Sequence, residues 1–365
     1  MTLRRRDARS PYMEWAKRHA GARYDLASSG VGSLPLAELP VRLEDLELTG
    51  APGYGYPPLL ERLAAKAGVA RECVVAAAGT SMANHLALAA LLEPGDEALI
   101  ESPSYELLVT AALYLGAEVR RFPRRFEDGF AVDPEAVEAA LTPRTRLVVV
   151  TNLHNPSGVR TDDATLARVA GIARSRGARL LVDEVYLEAL FDPAARSAFH
   201  LGPGIVATGS LTKAYGLSGL RCGWVLAEPE LTARMWRIDD LHGASAAHPA
   251  ERLSAIALDH LTGIAARAKE RLDRNRALLH RFLDGRPDLE AVRPEAGTVL
   301  FPRLAGGDGE RVEALCRLLR ERHETSVVPG RFFDAPGHFR VGIGADTPIV
   351  DEGLRRLGRA LEELG

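Results

Sequence analysis

Lys213 is the residue of this sequence whose type and setting best fit covalent chemistry. It ends the segment Ser210-Leu211-Thr212-Lys213, directly after a predicted strand. A lysine becomes a nucleophile toward an aldehyde when its surroundings destabilise the ammonium form, although most lysines are solvated surface charges. The same Ser-x-x-Lys spacing occurs in acyl-serine hydrolases, but their Ser-Asp-Asn and Lys-Thr-Gly segments are absent from this sequence. The segment therefore favours a lysine that forms a Schiff base.

Two further segments carry groups that bind a phosphate. Gly79, Thr80 and Ser81 lie between a predicted strand and a predicted helix, where free backbone N–H groups attract anions. Arg221 and Ser210 flank Lys213 and can supply a guanidinium and a hydroxyl donor. Helix capping by Thr80 or Ser81 and a surface role for Arg221 are the alternatives. Together these residues predict a site for a single phosphate.

Three other side chains suit an aromatic cofactor ring. Asp183 ends a predicted strand and can bond a protonated pyridine nitrogen. Asn155 follows another strand in a tight turn and can donate to a phenolic oxygen, whereas Tyr105 can stack on the ring or serve as a core aromatic. A metal site at the Asp183-Glu184 pair has no supporting His or Cys cluster nearby.

Short apolar runs alternate with helical patterns through the middle of the chain, which predicts an α/β fold. The runs are apolar on both faces, so we expect a mostly parallel seven-stranded sheet covered by helices on both faces. The predicted strands are Cys73–Ala77, Glu97–Ser102, Glu118–Phe122, Leu147–Asn152, Arg179–Asp183, Ile205–Ser210 and Gly223–Ala227. The predicted helices between them include Met82–Leu92, Glu106–Leu115, Pro134–Leu141 and Asp163–Arg174.

The pattern changes near Leu241. A helical stretch over Pro249–Arg286 is followed by short strands and two further helical patterns, which predicts a smaller α+β domain. We therefore expect an N-terminal segment (1–47) that packs with the small domain, a large α/β domain (48–240) and a small C-terminal domain (241–365).

Composition argues against several classes of protein. The chain has 365 residues, 46% of them apolar and 26% charged, with a net charge of −3, which is ordinary for a globular protein and unlike a nucleic-acid-binding one. Its longest apolar run, Leu86–Leu92, is too short to cross a membrane, and we expect no secretory signal. Three scattered cysteines show no metal-site spacing. These features predict a cytoplasmic protein without a metal.

Four segments occur in an order that resembles a known family. They are His-Asn-Pro-Ser-Gly at 154–158, Asp-Glu-Val-Tyr at 183–186, Ser-Leu-Thr-Lys at 210–213 and Gly-Leu-Arg-Cys-Gly-Trp at 219–224. The chain resembles, from about Leu26 onward, the fold type I pyridoxal-phosphate enzymes of the aspartate aminotransferase (class I/II aminotransferase) family. The resemblance implies that the large domain binds pyridoxal 5′-phosphate.

The resemblance also implies a role for each matching residue. Lys213 would hold the cofactor and shuttle a proton, and Asp183 would pair with the pyridine nitrogen. Asn155 and Tyr186 would bond the phenolic oxygen. The remaining cofactor contacts would come from the phosphate-binding residues Gly79, Thr80, Ser81, Ser210 and Arg221, and from the stacked ring of Tyr105.

Substrate binding and assembly follow from the same resemblance. Arg340 would clamp the substrate α-carboxylate, Asn155 would also contact the substrate, and Gly30 and Val31 belong to a loop that covers it. Tyr54 would reach the phosphate of the neighbouring subunit, which implies a homodimer with shared active sites. The spacer after Tyr54 is shorter than usual in the family, so Tyr56 is the alternative.

The resemblance implies transfer of an α-amino group from an amino acid to a 2-oxo acid. A β-eliminating lyase, a decarboxylase or an oxidase of the same fold would use the same residues, and a non-catalytic binding protein is a more distant alternative. No motif secures a second arginine for acidic substrates. His242 and His248, together with the small residues of the loop 295–299, are candidates for the pocket wall.

Overall fold

The computed structural model describes residues 9–19 and 22–365. Its N-terminal part contains helix α1 (Pro11–His19) and the two-residue strand β1 (Tyr24–Asp25). Strand β1 pairs in parallel with a C-terminal strand, through Tyr24 with Thr325 and Asp25 with Ser326. The N-terminal segment therefore packs on C-terminal residues, while the exact domain boundaries stay a prediction.

A seven-stranded sheet forms the centre of the molecule. Its strands are β2 (Val74–Ala78), β3 (Glu97–Ser102), β4 (Glu118–Pro123), β5 (Thr145–Thr151), β6 (Arg179–Asp183), β7 (Ile205–Ser210) and β8 (Cys222–Leu226). They lie in the order β2-β8-β7-β6-β5-β3-β4, and β8 runs antiparallel to both of its neighbours. Each predicted strand is present, with ends shifted by no more than two residues.

Helices cover both faces of this sheet. They are α2 (Pro57–Ala67), α3 (Gly79–Leu91), α4 (Glu106–Tyr114), α5 (Pro134–Ala140), α6 (Asp163–Ser175) and α7 (Pro229–Asp239). On one face Leu86 and Met235 pack against Ile100, and on the other Val137 and Leu166 pack against Val148. The predicted fold class, a mostly parallel sheet between two helical layers, is confirmed.

The C-terminal part consists of helices and short strands. The helices are α8 (His248–Asp259), α9 (Leu261–Asp284), α10 (Gly309–Arg322) and α11 (Thr347–Leu364), and the strands are β9 (Leu289–Glu290), β10 (Val299–Leu300), β11 (Arg303–Leu304), β12 (Thr325–Ser326), β13 (Val328–Pro329) and β14 (Phe339–Gly342). The stretch predicted as one helix is two, because the backbone of His260 leaves helical geometry at φ −111°. Leu26 and Val31 share a core with α9, α10 and α11.

Neither a membrane span nor a metal cluster is found in the described part of the chain. No helix there is long and apolar enough to cross a bilayer. Within residues 9–19 and 22–365, no group of three His, Cys, Asp or Glu side chains is arranged to hold a metal ion.

Candidate active site

A cavity of about 360 Å³ opens at the carboxyl ends of β5, β6 and β7. Ligand sites of open α/β sheets form at this edge, because the loops after parallel strands converge there. Nine of the predicted site residues line it: Thr80, Ser81, Tyr105, Asn155, Asp183, Tyr186, Ser210, Lys213 and Arg221. The topology of the sheet thus gathers residues from six separate segments of the chain.

Lys213 lies in the turn after β7, partly buried in the cavity wall. Its Nζ donates to Ser29 Oγ at 3.0 Å, and its backbone carbonyl accepts from the Val31 N–H at 2.8 Å. Burial, followed by the positive charges of Arg340 and Arg221, lowers the pKa of this amine to about 8. A lowered pKa raises the neutral, nucleophilic fraction near physiological pH.

Asp183 ends β6, and its carboxylate accepts two hydrogen bonds that fix its position. Asn84 Nδ2 donates to its Oδ2 at 2.8 Å, and the Val185 N–H donates to its Oδ1 at 3.0 Å. Thr208 Oγ1 fixes the Asn84 amide in turn at 2.6 Å. Burial raises the pKa of Asp183 to about 6, so the group still carries a negative charge at neutral pH.

The neighbouring Glu184 points away from this cavity. Successive side chains of a strand face opposite sides of a sheet, so Asp183 and Glu184 cannot share one site. Glu184 lines a separate cavity of about 640 Å³ beside α2 and α9, where its Oε1 accepts from the Ala198 N–H at 2.6 Å. The larger cavity therefore lies away from the predicted chemistry.

The first turn of α3 forms the anion-binding end of the cavity. Gly79 has φ +79°, and a Cβ added there would lie 2.4 Å from Arg221 Nη2, so the close approach of this guanidinium requires glycine. Arg221 Nη2 donates to Ala78 O at 3.0 Å. Among the residues that the structure describes, Thr80 Oγ1 and Thr212 Oγ1 are buried without a hydrogen-bond partner.

These features fit the cofactor that the resemblance implies. Buried hydroxyls rarely lack partners, so the free Thr80 and Thr212 hydroxyls beside Arg221 indicate a missing anionic acceptor such as a phosphate. The Asp183 carboxylate suits a protonated ring nitrogen. Pyridoxal 5′-phosphate carries both groups and an aldehyde for the amine of Lys213.

Arg340 is fully buried at 0% exposure, immediately behind the cavity wall. Its Nη1 donates to Asn155 Oδ1 at 3.0 Å, and its Nη2 donates to Tyr12 OH at 2.9 Å and Ala27 O at 3.2 Å. These acceptors are neutral, and no ion pair with a carboxylate of the described residues accompanies them. A buried guanidinium paired in this way is an open site for an anion.

Other predicted residues lie outside the cavity wall. Gly30 packs against the side chain of Lys213, and Val31 holds its backbone. The Tyr54 ring is 52% exposed and its hydroxyl donates to Asp240 Oδ2 at 3.1 Å, whereas the ring of Tyr56 packs against that of His248 at 5.2 Å.

His242 lies on the surface rather than in the cavity of its own chain. Its Nε2 is 2.8 Å from that of His85. His248 packs on Tyr56, so neither candidate histidine lines the cavity here.

Several functional contacts escaped the sequence analysis. Asn84 lies one helical turn after Thr80, so the two side chains share a face of α3, a signal that could have identified it. Tyr12 carries no comparable signal, because it lies in an N-terminal segment with no motif, whereas Ser29 belongs to the loop that the resemblance implies covers the substrate. Tyr12 meets Arg340 across 328 positions of the sequence.

The comparisons with known proteins agree with this geometry. Residues 43–357 match the class I and II aminotransferase family. Capreomycidine synthase of Streptomyces vinaceus is 33% identical over 98% of this chain and 94% of its own length. Arginine–pyruvate transaminase AruH of Pseudomonas aeruginosa is 31% identical over 80% of this chain and 76% of its own length.

Solved structures extend the likeness to the whole fold. A pyridoxal-phosphate-dependent aminotransferase from Streptococcus suis has a TM-score of 0.91 and 28% identity, over 100% of this chain and 99% of that one. The pyridoxal-phosphate-dependent cyclase OrfR has a TM-score of 0.89 and 29% identity, with 100% of both chains covered. The chain is a fold type I member of the class I and II aminotransferase family, whose enzymes use pyridoxal 5′-phosphate.

Proposed function

We propose that this protein is an aminotransferase that moves the α-amino group of an amino acid to a 2-oxo acid, with pyridoxal 5′-phosphate bound at Lys213. One observation carries the proposal. The Lys213 amine, whose pKa is lowered to about 8, lies in one cavity with the Asp183 carboxylate. The guanidinium of Arg340, which has no carboxylate partner among the described residues, lies behind the cavity wall. This arrangement matches the three charges that α-proton removal from an amino acid requires.

The cofactor, when bound, supplies an aldehyde for the substrate amino group and a ring that withdraws electrons from the α-carbon. The side chains of the protein would hold the cofactor in place and move the protons. Lys213 is the base that takes the α-proton and the acid that returns it, a role that a pKa near 8 suits. Asp183 keeps a proton on the ring nitrogen by its negative charge.

Asn155 and Tyr186 complete the ring site. Because Asn155 Oδ1 accepts from Arg340 Nη1, the amide nitrogen of Asn155 is free to donate to the ring oxygen. Burial raises the pKa of Tyr186 to about 12, so this hydroxyl keeps its proton and acts as a second donor. Thr80, Ser81, Ser210 and Arg221 bind the phosphate, and Tyr105 contacts the ring.

Arg340 binds the α-carboxylate of the substrate. Its present acceptors are neutral oxygens, and a carboxylate forms a stronger, bidentate pair with a guanidinium. A carboxylate held in this way stays on the substrate, which argues against decarboxylation.

Cyclisation is the second candidate function. Its support is that capreomycidine synthase and the cyclase OrfR match this chain over nearly their whole length. A cyclase and a transaminase share removal of the α-proton by the lysine. They differ in the next step: in a transaminase Lys213 would return the proton at a different carbon, whereas in a cyclase a group would leave the substrate side chain with the electron pair.

We also propose a homodimer in which Tyr54 reaches the partner's phosphate site. Tyr54 is exposed and Tyr56 packs on the core of its own chain, so Tyr54 is the better candidate. Ser81 and Arg221 are exposed at the anion-binding end, which leaves room for a group from a second subunit. A Tyr54→Phe variant that retains phosphate affinity in the dimer would contradict this role.

The decisive experiment incubates the cofactor-loaded protein with each common amino acid, with and without pyruvate or 2-oxoglutarate, and identifies products by mass spectrometry. Transamination predicts a 2-oxo acid that exceeds one equivalent per active site only when an acceptor is present. A product formed without an acceptor, with a group lost from the side chain, would instead establish the elimination or cyclisation chemistry. Absence of turnover with every amino acid would contradict both candidates.

A further inference from the structure

Asp25 presents one free carboxylate oxygen at the cavity. Its Oδ1 accepts from the Ala27 N–H at 2.7 Å, the Ser28 N–H at 3.1 Å and Ser326 Oγ at 3.1 Å. Its Oδ2 takes part in none of the hydrogen bonds found within the described residues. The carboxylate is therefore fixed through one oxygen while the other oxygen remains available to a ligand.

Among the described residues of the cavity lining, no other carboxylate is available to a substrate side chain. Asp25 and Asp183 are the two acidic residues in its described lining, and Asp183 is committed to Asn84 and to the cofactor ring. No ion pair of the described residues involves Asp25. A carboxylate without a cationic partner in a partly desolvated cavity is a binding point for a cation.

Asp25 lies at a short distance from the proposed carboxylate clamp. The N–H of Ala27 donates to Asp25, and the carbonyl of Ala27 accepts from Arg340 Nη2 at 3.2 Å. Because one residue makes both contacts, the Asp25 carboxylate and the Arg340 guanidinium are no more than about 10 Å apart. An amino acid whose side chain has three or four methylene groups before its charged end can reach from the Arg340 guanidinium to the Asp25 carboxylate.

The remaining wall suits the aliphatic part of such a side chain. Trp15, Ala16 and His19 of α1 line the same cavity as Asp25, and the Trp15 and His19 rings stack at 5.5 Å. The cavity thus has a partly apolar lining, with Asp25 in its wall and Arg340 behind it. This distribution matches an amino acid that is a zwitterion at the α-carbon and a cation at its far end.

We infer that Asp25 is the specificity-determining residue of this site and binds the ammonium or guanidinium end of a basic α-amino acid. This inference rests on the proposed function, since it assigns the substrate class of the same cavity. Two other roles of Asp25 make different predictions. A purely structural turn residue needs only the Oδ1 acceptor, and a counter-charge for Arg340 would affect all substrates alike.

The test compares substrates and variants in the cofactor-loaded enzyme. L-Citrulline replaces the guanidinium of L-arginine by a neutral urea of nearly the same shape. Asp25→Asn keeps an acceptor oxygen for Ala27, Ser28 and Ser326 but removes the charge. We expect the ratio of kcat/KM for arginine over citrulline to fall by about 30-fold in Asp25→Asn, mainly through KM for arginine.

A binding measurement separates recognition from turnover. α-Methylornithine and α-methylnorvaline lack the α-hydrogen and differ in the terminal amine, so calorimetry reports affinity without reaction. The ratio of their affinities is expected to fall about 30-fold in Asp25→Asn. Glu14→Gln is the matched control, because Glu14 lies on α1 outside the cavity and pairs with Arg9 at the surface.

Each outcome bears on a different claim. An arginine-to-citrulline ratio that Asp25→Asn leaves as it was overturns the inference, as does a wild-type enzyme that turns over neutral or acidic amino acids in preference to basic ones. Turnover of those other amino acids would leave the proposed function standing. An equal loss for both members of each pair would assign Asp25 to the turn or to Arg340 and also overturn it.

Discussion

Two groups of buried charged side chains lie at the same edge of the sheet and differ in how completely their hydrogen bonds are satisfied. The first joins Glu101, at the end of β3, to Arg124 at 2.8 Å, both with side-chain exposures of 0%. Arg124 also donates to Phe130 O at 2.6 Å and Thr161 Oγ1 at 3.3 Å, and Glu101 Oε1 accepts from the Thr151 N–H at 2.7 Å. The protein itself supplies a partner for each charge.

The second group is the cavity set of Lys213, Asp183 and Arg340. Here Arg340 contacts neutral oxygens, and the hydroxyls of Thr80 and Thr212 have no partner among the described residues. A buried polar group without a hydrogen-bond partner lowers the stability of the folded protein. Such groups therefore occur mainly where a bound ligand supplies the partner. Both groups consist of charged side chains that are buried or partly buried. The polar atoms without hydrogen-bond partners therefore distinguish the ligand site from the structural ion pair.

The largest expected effect comes from removing the amine of the open group. Lys213→Ala should lower turnover by on the order of 10⁴-fold, because the variant loses the amine that would hold the cofactor together with the proposed base for the α-proton. Steady-state assays with the identified amino donor measure this loss. Borohydride treatment followed by mass spectrometry should attach the cofactor to the wild type and not to the variant.

A second lysine variant tests whether the loss of turnover is specific to position 213. Lys269→Ala removes an exposed lysine that pairs with Asp273 one helical turn away, and it should leave both turnover and cofactor attachment intact. Cofactor still attached by borohydride in Lys213→Ala would show that another lysine holds it and would refute the assignment.

Breaking the closed group should affect stability instead of chemistry. Arg124→Met leaves Glu101 buried without its cation and should lower the free energy of unfolding by about 3–5 kcal/mol. Denaturant unfolding of the apoprotein measures this change. Cofactor affinity per folded molecule should stay close to that of the wild type, since neither partner lines the cavity.

An exposed ion pair provides the control for this stability effect. Arg168 pairs with Glu135 at 2.6 Å, with side chains 57% and 64% exposed, and Arg168→Met should cost less than about 1 kcal/mol. Equal losses for the two variants would mean that burial of the Glu101–Arg124 pair carries no special weight.

The open group should also give the apoprotein a pH-dependent stability. The pKa of Lys213 is lowered from 10.5 to about 8 in the folded protein, so between these values the unfolded chain binds more protons than the folded one. Unfolding free energy therefore rises with pH across this window, by about 3 kcal/mol. Lys213→Met should lack the rise, and a wild type whose stability follows that of the variant from pH 8 to 10.5 would contradict it.

The large sheet was predictable because each strand is an apolar run between turn residues. Leu147–Val150, buried on both faces, leaves little choice of structure. The cofactor side of the site was predictable for a related reason. Lys213, Asp183 and Asn155 lie at or just after the ends of these strands. Predicting the strands therefore also predicted that these side chains lie at one edge of the sheet.

The proposed substrate side of the site was predictable only in part, because the resemblance implied Arg340, Gly30 and Val31 but nothing in the sequence indicated Tyr12 or Asp25. Tyr12 and Asp25 lie in a segment without strand periodicity, and their roles arise only when it packs on Arg340 and Ser326. The division of the stretch after Pro249 was also missed, because His260 interrupts the helix through its backbone rather than through a turn residue. Long-range packing of this kind leaves no local pattern.

The smallest expected effect tests the support of the open group at Thr208. Thr208→Val removes the bond from Oγ1 to Asn84, which holds Asp183, and should lower the free energy of unfolding by about 1 kcal/mol. The Asn84 bond lowers the pKa of Asp183 from the higher value that burial alone would give. Loosening Asn84 should therefore move the acidic limb of the rate profile to higher pH. Thr165→Val, which loses only a surface bond to Asp162, is the control, and a limb that moves to lower pH in Thr208→Val would contradict the link between Asn84 and the charge of Asp183.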